Sequence, residues 1–328
     1  MPAYGPAQRT VQPDPELLPG LMQDNSKQGG WLAPLLCGIR PVSKDYVRWG
    51  KQDAQTLLSK LQDTLRAPGD RYNLIPRAIR TWVTSVVQED AVRVEIPHED
   101  VVNGLGLYDA YADGAMQILN VLQYAFELRV ATLFDPGTFA SANKTAVSGG
   151  TWAGASTAIE ADIENAAVTV VERSGLEPNY IRIPRKKWGG IKASTEVTKL
   201  RAGGRDPIEY VNGVPTYLFG LRILFGTGRN CAPTGTFTPA FLWDNTTLAL
   251  NNTAHVGYSP FLNGGQWGAG MQTFLGCFEN QLNGSAFEAN VRDDPNFEEN
   301  GTHIVYGNVR RSVPEVIDAE AVFAITGI

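Results

Sequence analysis

Residues 152–188 read WAGASTAIEADIENAAVTVVERSGLEPNYIRIPRKKW, and the order of elements within this stretch decides how the rest of the chain is read. Thr157 and Glu160 stand three apart as a capping box, a pair that opens a helix by satisfying its first amides. Ile159, Ile163, Ala166, Val170 and Val171 then recur on one side at helical spacing, and Gly175 supplies the left-handed residue that ends helices. Tyr180-Ile181-Arg182-Ile183 follows as a buried strand, and Pro184 to Trp188 as a short helical turn. Helix, strand and turn in direct succession make this a mixed α/β region.

Upstream, Tyr108, Tyr111, Ala115, Leu119, Leu122, Phe126, Val130 and Leu133 repeat at steps of three and four, and Asp135-Pro136-Gly137 ends the run. A helix over 106–134 is a rod of roughly 40 Å, longer than the core of a compact small domain requires. Before it, Trp82, Thr84 and Val86 alternate against Val83, Ser85 and Val87; after Gln88-Glu89-Asp90, Val92, Val94 and Ile96 alternate with Arg93 and Glu95. The simplest reading is one long hairpin, an element that gains from lying on a neighbour. Ala54, Leu57, Leu58, Leu61 and Leu65 predict a short amphipathic helix over 51–65. Residues 1–45, punctuated by Pro2, Pro6, Pro13, Pro15, Pro19 and Gly29-Gly30, read as an arm, ordered only where something covers Trp31, Leu32, Leu35 and Leu36.

Downstream, 215–225 predicts strand segments interrupted by Gly220, and Phe241-Leu242-Trp243 with 246–250 predicts two strands about a tight turn at Asp244-Asn245. Residues 251–300 are Gly-, Asn- and aromatic-rich and read as long loops, after which 303–310 and 316–325 form two closing strands.

At 328 residues the chain suffices for about two domains, or one large one, without needing disulfides or a structural metal. Its 28 basic and 34 acidic residues leave a net charge of −6, which argues against a protein whose main activity is gripping phosphate backbones. Charged residues are 19% of the chain against a typical value of about 25%, which suggests much surface hidden in contacts. No run approaches the ~20 apolar residues of a membrane span, and the start lacks the features of a signal peptide, so the chain reads as soluble and not exported. Cys37, Cys231 and Cys277 form no C-x-x-C pair and read as reduced, partly buried thiols.

The sequence carries few catalytic signatures. There is no G-x-S-x-G elbow, P-loop, H-E-x-x-H or EF-hand loop. His98, His255 and His303 fall in three different predicted elements, and His98-Glu99-Asp100 reads as helix initiation, with acidic side chains at the positive end of the dipole. Arg185-Lys186-Lys187 is the densest basic run, fit to touch nucleic acid or an acidic neighbour, or to be a solvated face. The segment 264–270 could be a ligand loop or a surface loop. No catalytic residue, metal ligand or cofactor site is assigned.

The order of these parts resembles tailed-bacteriophage major capsid proteins: arm, short helix, long hairpin, long helix, central α/β region and returning strands. Trp152, Asp162-Ile163 on a helix, Gly175-Leu176-Glu177-Pro178-Asn179 before a strand, and Trp188 closing a short helix carry the likeness at the level of residues. Gly213-Val214-Pro215, Trp243 before its turn, and the strands from Val309-Arg310 to Val316-Ile317 add to it. The resemblance implies the α+β Hong Kong 97-like capsid fold. Within it, 1–50 is the N-terminal arm, 51–65 the short helix and 66–100 the extended β-hairpin loop. Residues 101–150 with 301–328 form the peripheral domain around its long spine helix, and 151–300 form the axial domain. It implies a non-enzymatic subunit that self-assembles into hexamers and pentamers of an icosahedral shell around double-stranded DNA, without sequence-specific binding. Portal and scaffold or decoration proteins are the implied partners. The implied location is the virion, after assembly in the host cytoplasm, with no membrane involved.

Expected contacts between subunits are Trp31, Leu35 and Leu36 of the arm and Arg66, Arg71, Arg77, Arg80 and Trp82 of the loop. Some capsids of this fold join subunits through a lysine on that loop. Because no lysine lies between Lys60 and Lys144, a loop at 66–100 has no amine to offer. The same fold serves encapsulin compartments, which is the runner-up reading. A hydrolase or carbohydrate-binding protein with a site in the 241–280 loops is the alternative of another class.

Overall fold

A computed structural model of the protein describes residues 30–51, 81–97, 110–154, 158–230, 240–263, 273–280, 288–293 and 303–328. The first part of the chain holds α1 (Ala33–Leu36), β1 (Cys37–Val42), β2 (Tyr46–Lys51), β3 (Thr81–Val86), β4 (Gln88–Ile96), α2 (Ala110–Thr132) and β5 (Lys144–Ala146). The middle holds α3 (Ile159–Ser174), β6 (Tyr180–Arg182), α4 (Trp188–Lys192), α5 (Thr195–Ala202), β7 (Ile208–Val211), β8 (Val214–Leu218), β9 (Leu221–Leu224), β10 (Arg229–Asn230) and β11 (Ala240–Phe241). The last part holds β12 (Thr253–Gly257), β13 (Leu275–Asn280), β14 (Glu288–Asp293), β15 (His303–Val316) and β16 (Val322–Thr326).

Two sheets organise the α+β chain. The larger runs β5-β16-β12-β6-β9-β8-β7. Its central strands are buried on both faces: Ile181, Val256, Phe323 and Ile325 pack with Ile159, Ile163, Ala166 and Val170 of α3, while Tyr180 and Val322 join a second core with Phe126, Phe134 and Trp243. Its hairpins turn on Asn212-Gly213, at φ 51° and 76°, and on Phe219-Gly220, at φ 48° and 80°. Two successive positive φ values give the turn whose twist suits antiparallel strands, and glycine takes the second without a Cβ clash. The smaller sheet runs β1-β13-β15-β14, with β4 pairing the other edge of β15. Helix α2 lies on it, burying Ile118 and Leu122 against Ile96, Val92 and Val94.

Several expectations hold. The long helix is present at Ala110–Thr132, with Leu119, Leu122, Phe126 and Val130 buried as its periodicity required. Gly175 ends α3 at φ 71°, its amide donating to the Val171 carbonyl, and Tyr180–Arg182 is a fully buried strand.

Other expectations are corrected. The 82–87 and 92–96 runs do not pair: β3 pairs with β2, from Tyr46↔Val86 to Lys51↔Thr81, and β4 pairs with β15. Alternation reports that a segment is a strand and is silent about its partner. Lys51 closes β2, and residues 52–80, with the rest of the 51–65 helix and Arg66, Arg71, Arg77 and Arg80, lie outside the described residues. The N-cap of α3 is Ala158 with no side-chain bond of its own; Glu196 of α5 reaches across to accept from the Ile159 and Glu160 amides. Thr157 lies outside the described residues. Residues 242–244 and 250–252 are 3-10 turns rather than paired strands. β13 and β14 join the smaller sheet, while β16 crosses into the larger one.

Candidate functional site

Among the described residues, no group of three or more His, Cys, Asp and Glu side chains could hold a metal ion. His255 stands on β12 in the larger sheet and His303 on β15 in the smaller one, while His98 lies outside the described residues. The polar chemistry concentrates instead at a buried junction and on one exposed ribbon.

The junction centres on Glu127, fully buried on α2. Its Oε1 accepts from the Leu32 amide and from the Trp243 indole N–H, both at 2.6 Å, and its Oε2 accepts from the Ala33 amide at 2.9 Å. A four-residue helix such as α1 cannot persist alone, and the carboxylate satisfies amides that its first turn leaves orphaned. Leu32, Ala33, Leu36 and Cys37 are all at most 2% exposed within the subunit's own core, and Leu35 packs against it. Trp31 lies against Gly228, where an added Cβ would stand 2.8 Å from the ring. Leu36 is therefore covered by the subunit itself, and the chain from residue 32 to 37 is part of its core. A lone acid inside an apolar helix stripe was the signal for this site.

Behind the junction, Arg182 is fully buried, its Nη1 donating to the Leu250 and Thr253 carbonyls at 2.9 Å and its guanidinium lying 5.3 Å from the centre of the Trp243 ring. Burial pushes its pKa down to about 9, with the charge of Asp244 opposing. His255, directly across the strand pair from Arg182, donates from Nε2 to the Phe134 carbonyl at 2.8 Å. Burial, and secondarily the Arg182 charge, holds its pKa well below 6.5, against the smaller opposing effect of that hydrogen bond. The unfolded chain takes up this proton as pH falls through about 6.5 and the folded chain does not, so stability present above that pH is lost below it. His255→Gln should remove up to about 1.4 kcal/mol per pH unit of that acid-side loss. Denaturation midpoints of both chains between pH 7.5 and 5 check this, and parallel curves would refute it.

The ribbon of β2 and β3 places Tyr46, Arg48, Gly50, Trp82, Thr84 and Val86 on one face. On it Tyr46, Trp82 and Val86 are 57%, 60% and 63% exposed, and the Arg48 guanidinium lies 5.2 Å from the Trp82 ring centre. The opposite face is anchored: Trp49 is buried, donates to Ser85 Oγ at 3.0 Å and packs on Phe278. At the base, the Asp45 carbonyl accepts from Val87 N at 2.8 Å and its Oδ1 from Asn280 Nδ2 at 2.7 Å. Trp82 is thus brought to an uncovered face, whose other aromatic residue, Tyr46, sequence reasoning missed because it fell at the edge of the arm. The period of two over Tyr46–Lys51 could have found it. The ribbon's first strand ends in Lys51, outside the 66–100 stretch that has no lysine.

No family model and no curated protein matches the sequence, whereas solved structures match it almost end to end. A phage-related protein from Bordetella bronchiseptica RB50 aligns at TM-score 0.65 and 16% identity, over 94% of this chain and 96% of that one. The capsid of Cyanophage P-SCSP1u aligns at 0.55 and 14%, over 88% and 86%. The SrpI encapsulin of Synechococcus elongatus PCC 7942 aligns at 0.55 and 10%, over 100% and 92%. The chain has the fold of phage capsid proteins. In particular it is the Hong Kong 97-like capsid fold.

Proposed function

We propose that this chain is a shell subunit, the major capsid protein of a tailed bacteriophage, whose copies form hexamers and pentamers of an icosahedral particle around double-stranded DNA. The near end-to-end fold match to a phage capsid carries the reading. The uncovered aromatic face of the ribbon supports it, because such a face is stabilised when a neighbouring copy removes it from water. The role is structural rather than catalytic, the location the virion after assembly in the host cytoplasm, and the partners are further copies with portal and scaffold or decoration proteins. Trp31, Arg66, Arg71, Arg77, Arg80 and Trp82 remain the proposed contacts between subunits. The carbohydrate-site alternative loses Trp243, which is 1% exposed and bonded to Glu127.

Electron micrographs of the purified full chain test the reading: closed particles are expected, and monomers alone at high concentration would refute it. An encapsulin shell is a second reading, because the SrpI encapsulin also aligns over the whole of this chain. A dedicated enzyme cargo copurifying with the particles would select it.

Two further outcomes follow. Removing residues 1–29 should leave a folded subunit with impaired shell formation, while removal through residue 45 should unfold it, because Leu32, Ala33, Leu36 and Cys37 belong to the core. Circular dichroism and particle yield of both truncations check this. Trp82→Ala should cost a contact of about 2 kcal/mol, a typical interface hot spot, lowering particle yield with the subunit's melting temperature unchanged. Equal yields would remove the ribbon from assembly.

A further inference from the structure

The segment 185–205 holds seven basic residues and a single acid, Glu196, in a chain whose net charge is −6. Much of that charge is already engaged. Lys187 Nζ donates to Asn252 Oδ1 and the Ile328 carbonyl, both at 2.8 Å; Arg201 pairs with Asp206, and Arg205 with Glu160. Lys199 lines an open cleft of about 460 Å³ with Glu160, Glu164 and Glu196. Arg185, Lys186 and Lys192 are exposed, and no carboxylate among the described residues pairs with them.

Their placement is fixed from within. The Asp244 carboxylate accepts from the amides of Arg185 at 3.0 Å and Lys186 at 3.1 Å, which turns the backbone inward, and the Arg185 guanidinium rests 4.8 Å from the Phe225 ring centre. The turn runs into α4, whose Trp188 and Ile191 point into the core. Arg185 and Lys186 therefore stand on the turn itself, and Lys192 is the last residue of the short helix that follows it. Between them Gly189 is exposed, and a Cβ there would meet nothing within 4 Å. The surface is thus three cations around bare backbone, and none of the large exposed apolar side chains lies in it.

We propose that this face docks the phosphate backbone of duplex DNA. A protein partner would be held by buried apolar anchors, which this surface lacks, whereas phosphates ask only for cations and close backbone approach. Three contacts make each site weak and indifferent to sequence, and repetition over many copies would hold a duplex without fixing it. The inference deepens the shell reading, for which duplex DNA is the enclosed polyanion, but the test does not need a shell to form.

Anisotropy of a fluorescent duplex of about 30 base pairs, titrated with the full chain between about 50 and 300 mM NaCl, should give a slope of log K against log salt near −2.7, from three contacts at about −0.9 each. Lys186→Gln with Lys192→Gln should bring the slope near −1 and weaken binding at least about tenfold at the lowest salt. Its unfolding midpoint should match the wild type, so that a folding defect is not read as lost binding. No wild-type binding at the lowest salt, or equal binding by the double variant, overturns the proposal. So does tighter binding of poly-L-glutamate than of the duplex, which would point to an acidic protein. Salt-dependent binding that maps to these lysines in a chain that stays monomeric upholds the docking face and refutes only the shell.

Discussion

Glu127→Ala is expected to abolish folding at 37 °C. The change removes the acceptor from the Leu32 and Ala33 amides and from the Trp243 indole at one stroke. Each buried donor left unsatisfied costs about 1–3 kcal/mol, so the nominal loss of about 3–9 kcal/mol rivals a whole domain's stability of about 5–15 kcal/mol. Glu127→Gln keeps the shape and one oxygen but turns an amide N–H towards a donor, and an intermediate loss of about 2–3 kcal/mol is expected. Denaturant midpoints of the two variants should rank wild type, Gln, Ala. An alanine variant within about 1 kcal/mol of wild type would show that the junction is solvated or rebuilt.

Gly226→Ala should be nearly as damaging for a steric reason. A Cβ there would stand 2.2 Å from Trp243 Cδ1 and 2.3 Å from Cγ. Trp243 cannot retreat, with its indole N–H on Glu127, Arg182 over its face and the Phe134 ring centre 5.4 Å away. Overpacking usually costs about 1–3 kcal/mol and more where neighbours are pinned, so about 3 kcal/mol is expected. Gly189→Ala, inside α4 and facing open space, is the matching control and should gain about 0.5–1 kcal/mol from helix propensity. Thermal melts of the two should move in opposite directions.

What the sequence made legible was local. The α2 stripe from Leu119 to Val130, the stop at Gly175 and the buried run at Tyr180 each follow from spacing or from a residue's own conformational reach. Partners were not legible. β2 and β3 alternate as well as any strands, yet nothing in Tyr46–Lys51 names Thr81–Val86, and β4 reads as the return of a hairpin when its mate is β15. The candidate site failed in the same way. Glu127 and Arg182 interrupt apolar patterns visibly, but the donors and carbonyls that satisfy them come from Leu32, Trp243, Leu250 and Thr253, which only tertiary packing assembles. Glu196 capping α3 from another helix is a third instance.

The pairing of β5 with β16 sets a timetable for the newborn chain. Thr326 donates its hydroxyl to the Thr145 carbonyl, 181 residues earlier, and β1 likewise waits for β13. At a synthesis rate of about 5–20 residues per second, β5 is out of the ribosome for roughly 9–36 s before the strand that completes its edge exists. Neither sheet can close on a half-made chain, and truncated translation products carry open edges instead of a finished outer surface. Fragments would therefore be cleared by chaperones and proteases, while only full-length chains reach the pool from which particles are built.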